Sequence, residues 1–88
     1  MTLHVIVKGR VQGVGFRYFV LARAQALGLQ GWVQNLPNGS VEAHAEGAEE
    51  ALTQWVKELR QGPPLARVDE VRTDWDVPEE KAEGFEIL

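Results

Sequence analysis

Residues 3–28, LHVIVKGRVQGVGFRYFVLARAQALG, join two different hydrophobic periodicities through a run of glycines. Over residues 3–8 apolar side chains alternate with more polar ones, which is the period of a β-strand. The glycine loop, Gly9–Gly15, contains three glycines and interrupts this alternation. From Phe16 the apolar residues recur at helical spacing, and Gly28 is suited to end a helix. The stretch therefore predicts a strand, a tight loop and a helix.

Further strands and a second helix follow this unit. The turn Pro37-Asn38-Gly39 is typical of a hairpin, because Asn and Gly tolerate positive φ. Gly62-Pro63-Pro64 ends the second helix, and the polar segment Asp76–Glu83 is predicted to be a loop. The other predicted elements are strands at Trp32–Leu36, 41–46, Val68–Trp75 and around Phe85 and Ile87, and a helix whose apolar stripe is Ala48, Leu52, Trp55 and Leu59.

The order βαββαβ plus a terminal strand predicts the fold class. One sheet packed under two helices is the natural solution for this order. We therefore expect an α+β, ferredoxin-like sandwich with an antiparallel sheet, two helices on one face and a short terminal strand. A chain of 88 residues is long enough for one compact domain and too short for two, so residues 1–88 are expected to form a single domain.

Composition excludes several classes of function. The chain has no cysteine, which rules out disulfides, thiolate metal sites and cysteine nucleophiles. Its net charge of −4 gives no overall attraction for nucleic acid or for anionic membranes. The N-terminus lacks a basic region, and no apolar run approaches the ~20 residues of a membrane helix, so we expect a cytoplasmic location. His4 and His44 match no metal motif and are expected to be solvated or half-buried at outward strand positions.

Basic residues concentrate around the glycine loop: Lys8, Arg10 and Arg17 fall within ten positions that contain no acid. Glycines can turn successive backbone N–H groups toward one anion, and the following helix N-terminus adds further donors. Arg17 can reach back over the loop and bind two phosphoryl oxygens. The spacing matches neither a Walker loop nor a dinucleotide fingerprint. By itself the loop fits an anion site and an ordinary tight turn equally well. Two roles are also open for Lys8 and Arg10, which would either steer an anionic substrate or only keep the loop soluble.

Three strings in the chain resemble those of the acylphosphatase family. They are GRVQGVGFR at 9–17, GWVQNLPNGSVE at 31–42 and GPPLARVD at 62–69, and the resemblance runs in the family's order from about Leu3 to Leu88. It implies a hydrolase that cleaves the carboxyl–phosphate bond of acyl phosphates to a carboxylate and inorganic phosphate. No metal and no cofactor are implied.

The same resemblance assigns roles to individual residues. Arg17 is the phosphate-binding residue and Asn35 the residue that positions the attacking water. Because a strand–helix–strand crossover makes the first two strands parallel, Asn35 and the glycine loop are expected at the same edge of the domain. The phosphate-binding loop, acting through its backbone N–H groups, comprises Gln12, Gly13, Val14, Gly15 and Phe16.

Further expectations concern substrates and partners. A small-molecule acyl phosphate is the expected substrate, and phosphate or sulfate can occupy the site. We expect a monomer with no nucleic-acid or membrane partner. No residues form an evident acyl-specific pocket, so broad tolerance of the acyl group is also expected.

Three alternative functions remain open at this point. RNA-recognition domains share the βαββαβ order, but their aromatic signature is absent from residues 40–46. A sensing module could bind phosphate without turning over a substrate. The chain could also resemble a domain of a larger carbamoyl-transfer protein, although an initial methionine and the absence of zinc-binding cysteines favour a free-standing enzyme.

Overall fold

The computed structural model describes all 88 residues as five strands and two helices. The order of elements along the chain is the predicted one, and no helix is long and apolar enough to cross a membrane. The elements are β1 (Thr2–Arg10), α1 (Phe16–Ala26), β2 (Gln30–Asn35), β3 (Val41–Glu46), α2 (Glu49–Gln61), β4 (Arg67–Trp75) and β5 (Phe85–Ile87).

The strands form one sheet in the order β4-β1-β3-β2-β5. β1 pairs antiparallel with β3 and β4, and β2 pairs antiparallel with β3. β5 pairs parallel with β2, so the sheet is mixed, where the sequence predicted an antiparallel one. The reason is the path of segment 76–84 along one end of the sheet: the Asp76 N–H donates to the Thr2 carbonyl, and the Gly31 N–H donates to the Gly84 carbonyl. β5 therefore starts at the same end as β2 and runs beside it in the same direction.

Both helices pack on one face of the sheet and enclose the core. Trp55 of α2 is fully buried, and its Nε1 donates to the Val20 carbonyl of α1 at 3.3 Å. The predicted helical stripes are largely confirmed, except that Leu27 is only half-buried and Ala48 is exposed because it precedes the first turn of α2. The helical residues buried in the core are Phe16, Val20, Ala24, Leu52, Trp55, Val56 and Leu59.

The opposite face of the sheet is partly covered by segment 76–84. His44 is 1 % exposed there, and its ring stacks on that of Trp32 with 6.0 Å between centroids. Its Nε2 lies 2.8 Å from Glu46 Oε2, and its Nδ1 lies 3.5 Å from Glu80 Oε2. The prediction that His44 is solvated or half-buried was wrong, because a segment that is polar in sequence nevertheless lies across this part of the sheet.

The shared direction of β1 and β2 positions the candidate site. Both strands pair antiparallel with β3, so they run parallel to each other, as the crossover predicted. β1 ends at Arg10 within the glycine loop, and β2 ends at Asn35. The loop and Asn35 therefore lie at the same end of the sheet.

Candidate active site

The structure contains one cavity, of about 130 Å³, at the end of the sheet where β1 and β2 finish. Arg17 and Asn35, which are 18 positions apart in sequence, both line it. No histidine or carboxylate is among the lining residues. The seven residues that line the cavity are Val11, Gly13, Gly15, Phe16, Arg17, Tyr18 and Asn35.

The glycine loop adopts a conformation that only glycine accommodates readily. Gly13 and Gly15 have φ of 74° and 77°, in the left-handed region, while Val14 between them does not have a positive φ. A Cβ added at either glycine would meet no atom within 4 Å, so backbone conformation and not lack of space requires glycine. A backbone in which positive and negative φ alternate in this way forms a concave array of N–H groups that suits an anion.

The backbone donors of this region have no partner within the chain. The N–H groups of residues 12–18 donate to no backbone carbonyl. The first backbone N–H of α1 that does so is that of Phe19, which donates to the Gly15 carbonyl. No side chain accepts from them either; the two backbone N–H groups bonded to side chains are those of Ser40 and Glu80. A loop and a helix N-terminus thus present a continuous set of unpaired donors beside the cavity.

Gln12 and Val14 differ from the other loop residues that the sequence singled out. Neither lines the cavity. The Gln12 Nε2 donates to the Leu36 carbonyl at 2.8 Å and to the Ser40 carbonyl at 2.9 Å, which ties the loop to the β2–β3 hairpin. Val14 is half-buried and packs against the core. The prediction for these two residues concerned their backbone N–H groups, which are among the unpaired donors.

Asn35 is the last residue of β2 and pairs with Val41 at the first position of β3. The turn beyond it is closed by a hydrogen bond from the Leu36 N–H to the Ser40 carbonyl at 2.8 Å. The Asn35 side chain is exposed and makes no hydrogen bond within the chain. Its carboxamide is thus held at the cavity by the strand end while its donor and acceptor remain free.

Arg17 is half-buried in the first turn of α1, and no Asp or Glu side chain pairs with its guanidinium. Its one hydrogen bond within the chain is long, from Nη1 to the main-chain oxygen of Leu88 at 3.5 Å. Leu88 is itself held beside β2 by a hydrogen bond from its N–H to the Val33 carbonyl. The guanidinium is therefore held near the cavity by a main-chain oxygen and not by an acidic side chain.

Two further cations lie near the cavity, Arg10 and Lys8, of which Lys8 is the cross-strand neighbour of Glu70. Lys8 and Arg10 form no ion pair, whereas Arg67, the cross-strand neighbour of Arg10, is paired with Asp69 at 3.0 Å. The chain as a whole is acidic, so the end of the sheet that holds the cavity is a local basic region on a negatively charged molecule. No group of three or more His, Cys, Asp or Glu side chains that could hold a metal ion is found.

Sequence reasoning missed two residues that line the cavity, Val11 and Tyr18. Val11 is 1 % exposed and belongs to the core. Tyr18 lies off the apolar stripe of α1 and is 71 % exposed. The available signal for Tyr18 was its position directly after Arg17, on the same first turn.

Known proteins resemble the chain in sequence and in fold. The family model described as Acylphosphatase matches residues 3–87. An acylphosphatase of Thermus thermophilus is 49 % identical, with 97 % of this chain and 96 % of the relative covered. The crystal structure of acylphosphatase from Bacillus subtilis superposes with a TM-score of 0.95 at 41 % identity, covering 99 % of this chain and 97 % of that one.

The same fold also occurs inside a longer polypeptide. The crystal structure of T. kodakarensis HypF matches with a TM-score of 0.86 at 36 % identity, and all of this chain corresponds to 12 % of that protein. The family model and the full-length relatives decide the assignment: the chain belongs to the acylphosphatase family, the enzymes that hydrolyse acyl phosphates, as its sequence predicted.

Proposed function

We propose that Arg17 and the backbone N–H groups of residues 12–16 bind the phosphoryl group of an acyl phosphate, and that Asn35 positions the water that attacks it. The observation that carries this assignment is the meeting of Arg17, Asn35 and the glycine loop around one cavity. Arg17 and the unpaired amides are all donors, and they surround a space that contains no competing carboxylate. Such a set of donors matches the equatorial oxygens of a phosphoryl group.

The chemistry of an acyl phosphate needs little beyond this. The leaving group is a carboxylate, whose conjugate acid has a pKa of about 4, so no general acid has to protonate it at neutral pH. The barrier lies in bringing water to an anionic phosphorus, and a site can lower it by positioning and electrostatic stabilisation. The cavity lining contains no histidine and no carboxylate, which is consistent with a reaction that needs no general acid.

Asn35 is suited to hold the water because its carboxamide has both a donor and an acceptor. Its carbonyl oxygen can accept a hydrogen bond from the water, which leaves a water lone pair directed at phosphorus. The phosphoryl group held by Arg17 would then lie between this water and the departing carboxylate, in line with both. As the reaction proceeds, Arg17 and the loop N–H groups, which are already oriented, would stabilise the negative charge on the equatorial oxygens.

The same site is proposed to bind inorganic phosphate, the product, and sulfate, its isostere. Residues 1–88 are proposed to act as one domain, because a single core of 17 buried residues joins both helices to the sheet. The chain is also proposed to act as a monomer.

Hydrolysis of benzoyl phosphate in the presence of EDTA tests the assignment. The wild type is expected to turn over without inhibition by EDTA, because no side chain that lines the cavity is a preferred metal ligand. Arg17→Ala and Asn35→Ala should each lower kcat by at least ~10²–10³ while the protein stays folded. The control is Arg60→Ala, which removes an exposed, unpaired arginine from the end of α2.

Two outcomes would contradict the proposal. A kcat retained in either cavity variant would remove that residue from the mechanism. A folded wild type that binds phosphate but does not hydrolyse benzoyl phosphate would instead favour a phosphate-binding module.

A further inference from the structure

Tyr18 is an exposed aromatic side chain at the mouth of the cavity. Four large hydrophobic residues of the chain are exposed, namely Met1, Tyr18, Leu65 and Leu88. Tyr18, at 71 % exposure, is the one that lines the cavity, and the main-chain oxygen of Leu88 accepts the hydrogen bond from Arg17. Exposed apolar surface is thus present beside the charged groups that bind phosphate.

The fold does not account for this position of Tyr18. The buried face of α1 is formed by Phe16, Val20 and Ala24, and Tyr18 belongs neither to the core nor to the half-buried residues packed against it. Its hydroxyl makes no hydrogen bond within the chain. Since an exposed ring contributes little to folding, its place at the cavity calls for an explanation in binding.

An acyl phosphate has two chemically different ends. The donors described above serve only the phosphoryl end, and the cavity is too small to enclose a large acyl group as well as a phosphate. The acyl group must therefore extend outward past the mouth. The other aromatic ring of the lining, Phe16, is 1 % exposed and belongs to the core, so Tyr18 is the aromatic surface that an emerging acyl group can contact.

We propose that the Tyr18 ring packs against the acyl group of the substrate and makes the enzyme favour aromatic and bulky apolar acyl phosphates over small ones. This replaces the expectation of broad acyl tolerance, and it rests on the proposed function. Tyr18 acts as a specificity-determining residue: the phosphoryl end is bound in the same way for every substrate, and the acyl end is discriminated by contact with the ring. Aromatic pairs prefer offset or edge-to-face contacts, which an open mouth permits.

Paired substrates provide the kinetic test. The ratio of kcat/KM for benzoyl phosphate to that for acetyl phosphate is measured for the wild type, Tyr18→Ala, Tyr18→Phe and Leu65→Ala. Tyr18→Ala should lower the ratio by about three- to tenfold, mainly by raising KM for benzoyl phosphate. Tyr18→Phe should retain the ratio, because the ring and not the hydroxyl makes the contact. Leu65→Ala, which truncates another exposed hydrophobic residue that does not line the cavity, should also retain it.

A binding measurement separates this inference from the proposed function. Calorimetric affinities for phenylphosphonate and methylphosphonate require no turnover, and Tyr18→Ala should reduce their ratio by a similar factor. Unchanged ratios in both experiments, or an equal loss in Tyr18→Phe, would overturn the role of the ring. A wild type that hydrolyses neither substrate would overturn the proposed function, and the phosphonate affinities would still decide whether Tyr18 contacts the organic group.

Discussion

The side-chain amide of Gln12 donates a 2.8 Å hydrogen bond to the carbonyl of Leu36, the residue that follows Asn35. A second hydrogen bond from the same nitrogen, to Ser40, lies at 2.9 Å. One nitrogen thus joins the glycine loop to the strand end that carries the proposed water-positioning residue. This link connects the two halves of the proposed site directly.

Gln12→Ala should therefore disturb catalysis from outside the cavity. Loss of two partly buried hydrogen bonds is expected to destabilise the fold by about 1–2 kcal/mol. Displacement of Asn35 relative to the loop should lower kcat by about ten- to a hundredfold, since small errors in position reduce the advantage of a held water. Steady-state kinetics and thermal unfolding measure both effects.

Gln54→Ala is the matched control, because Gln54 Nε2 donates at the same kind of distance, 2.9 Å, but to Glu58 on the exposed face of α2. Its kcat should equal that of the wild type. If Gln12→Ala loses stability and keeps full kcat, Gln12 has only a structural role.

Gly13→Ala tests whether the left-handed conformation of the loop matters for anion binding. Gly13 and Gly28 have φ of 74° and 71°, and an added Cβ would meet nothing within 4 Å at either position. Both substitutions should cost about 1–2 kcal/mol of stability through backbone strain alone. Only Gly13→Ala should also weaken competitive inhibition by inorganic phosphate, by about tenfold, because it turns N–H groups away from the cavity. Equal inhibition constants in the two variants would argue against the loop as the phosphate site.

Arg10→Ala tests electrostatic steering. Arg10 is exposed, has no ion-pair partner and lies at the end of β1 on a chain of net charge −4. For an anionic substrate, kcat/KM of the wild type should fall with ionic strength, and the fall should be shallower in Arg10→Ala. Lys81→Ala removes the same charge from an exposed position in segment 76–84, at the end of the sheet where β1 and β2 begin, and should keep the wild-type salt dependence. Identical slopes in all three proteins would show that Arg10 does not steer.

Glu46 should contribute to stability in a pH-dependent way. Burial by itself would raise its pKa, but hydrogen bonds from His44 and from the Glu80 N–H, together with the charge of His44, lower the pKa below its ordinary value of 4.5. A carboxyl group whose pKa is lower in the folded state stabilises the fold above about pH 4.5. That contribution is lost as the pH falls through the folded-state pKa.

Glu46→Gln is accordingly expected to reduce the free energy of unfolding by about 1–2 kcal/mol at neutral pH. For a chain of this size that corresponds to a drop in Tm of roughly 4–16 °C. The difference from wild type should shrink as the pH is lowered below 4.5. Glu83→Gln, an exposed position in segment 76–84, serves as the control. A difference in Tm that stays constant across this pH range would mean that Glu46 acts through packing and not through its charge.

Local periodicity predicted most of the fold. The change from alternating to helical spacing at the glycine loop marks β1 and α1, and the Asn38-Gly39 turn marks the β2–β3 hairpin. These features depend on residues that are close in sequence, so composition and spacing are sufficient to find them. The crossover rule then predicts that Asn35 and the glycine loop lie at the same edge of the domain.

Contacts between distant segments could not be predicted in this way. The parallel pairing of β5 with β2 follows from the path of segment 76–84, which has no periodicity to interpret. The burial of His44 depends on Glu80 and Trp32, which are respectively 36 and 12 positions away in sequence. Polar residues that cover a sheet look the same in sequence as polar residues in solvent, so the prediction for His44 was wrong.

The sequence by itself determined the order of elements, the conformational freedom of the glycine loop and the identity of the two side chains proposed to act, because each is a local property or part of a recognisable string. The tertiary structure decided how these parts meet. It directs the Gln12 amide to the hairpin, leaves the N–H groups of residues 12–18 unpaired and places Tyr18 at the mouth of the cavity. These relationships depend on the relative positions of packed elements, which are set by the whole core and not by any single segment.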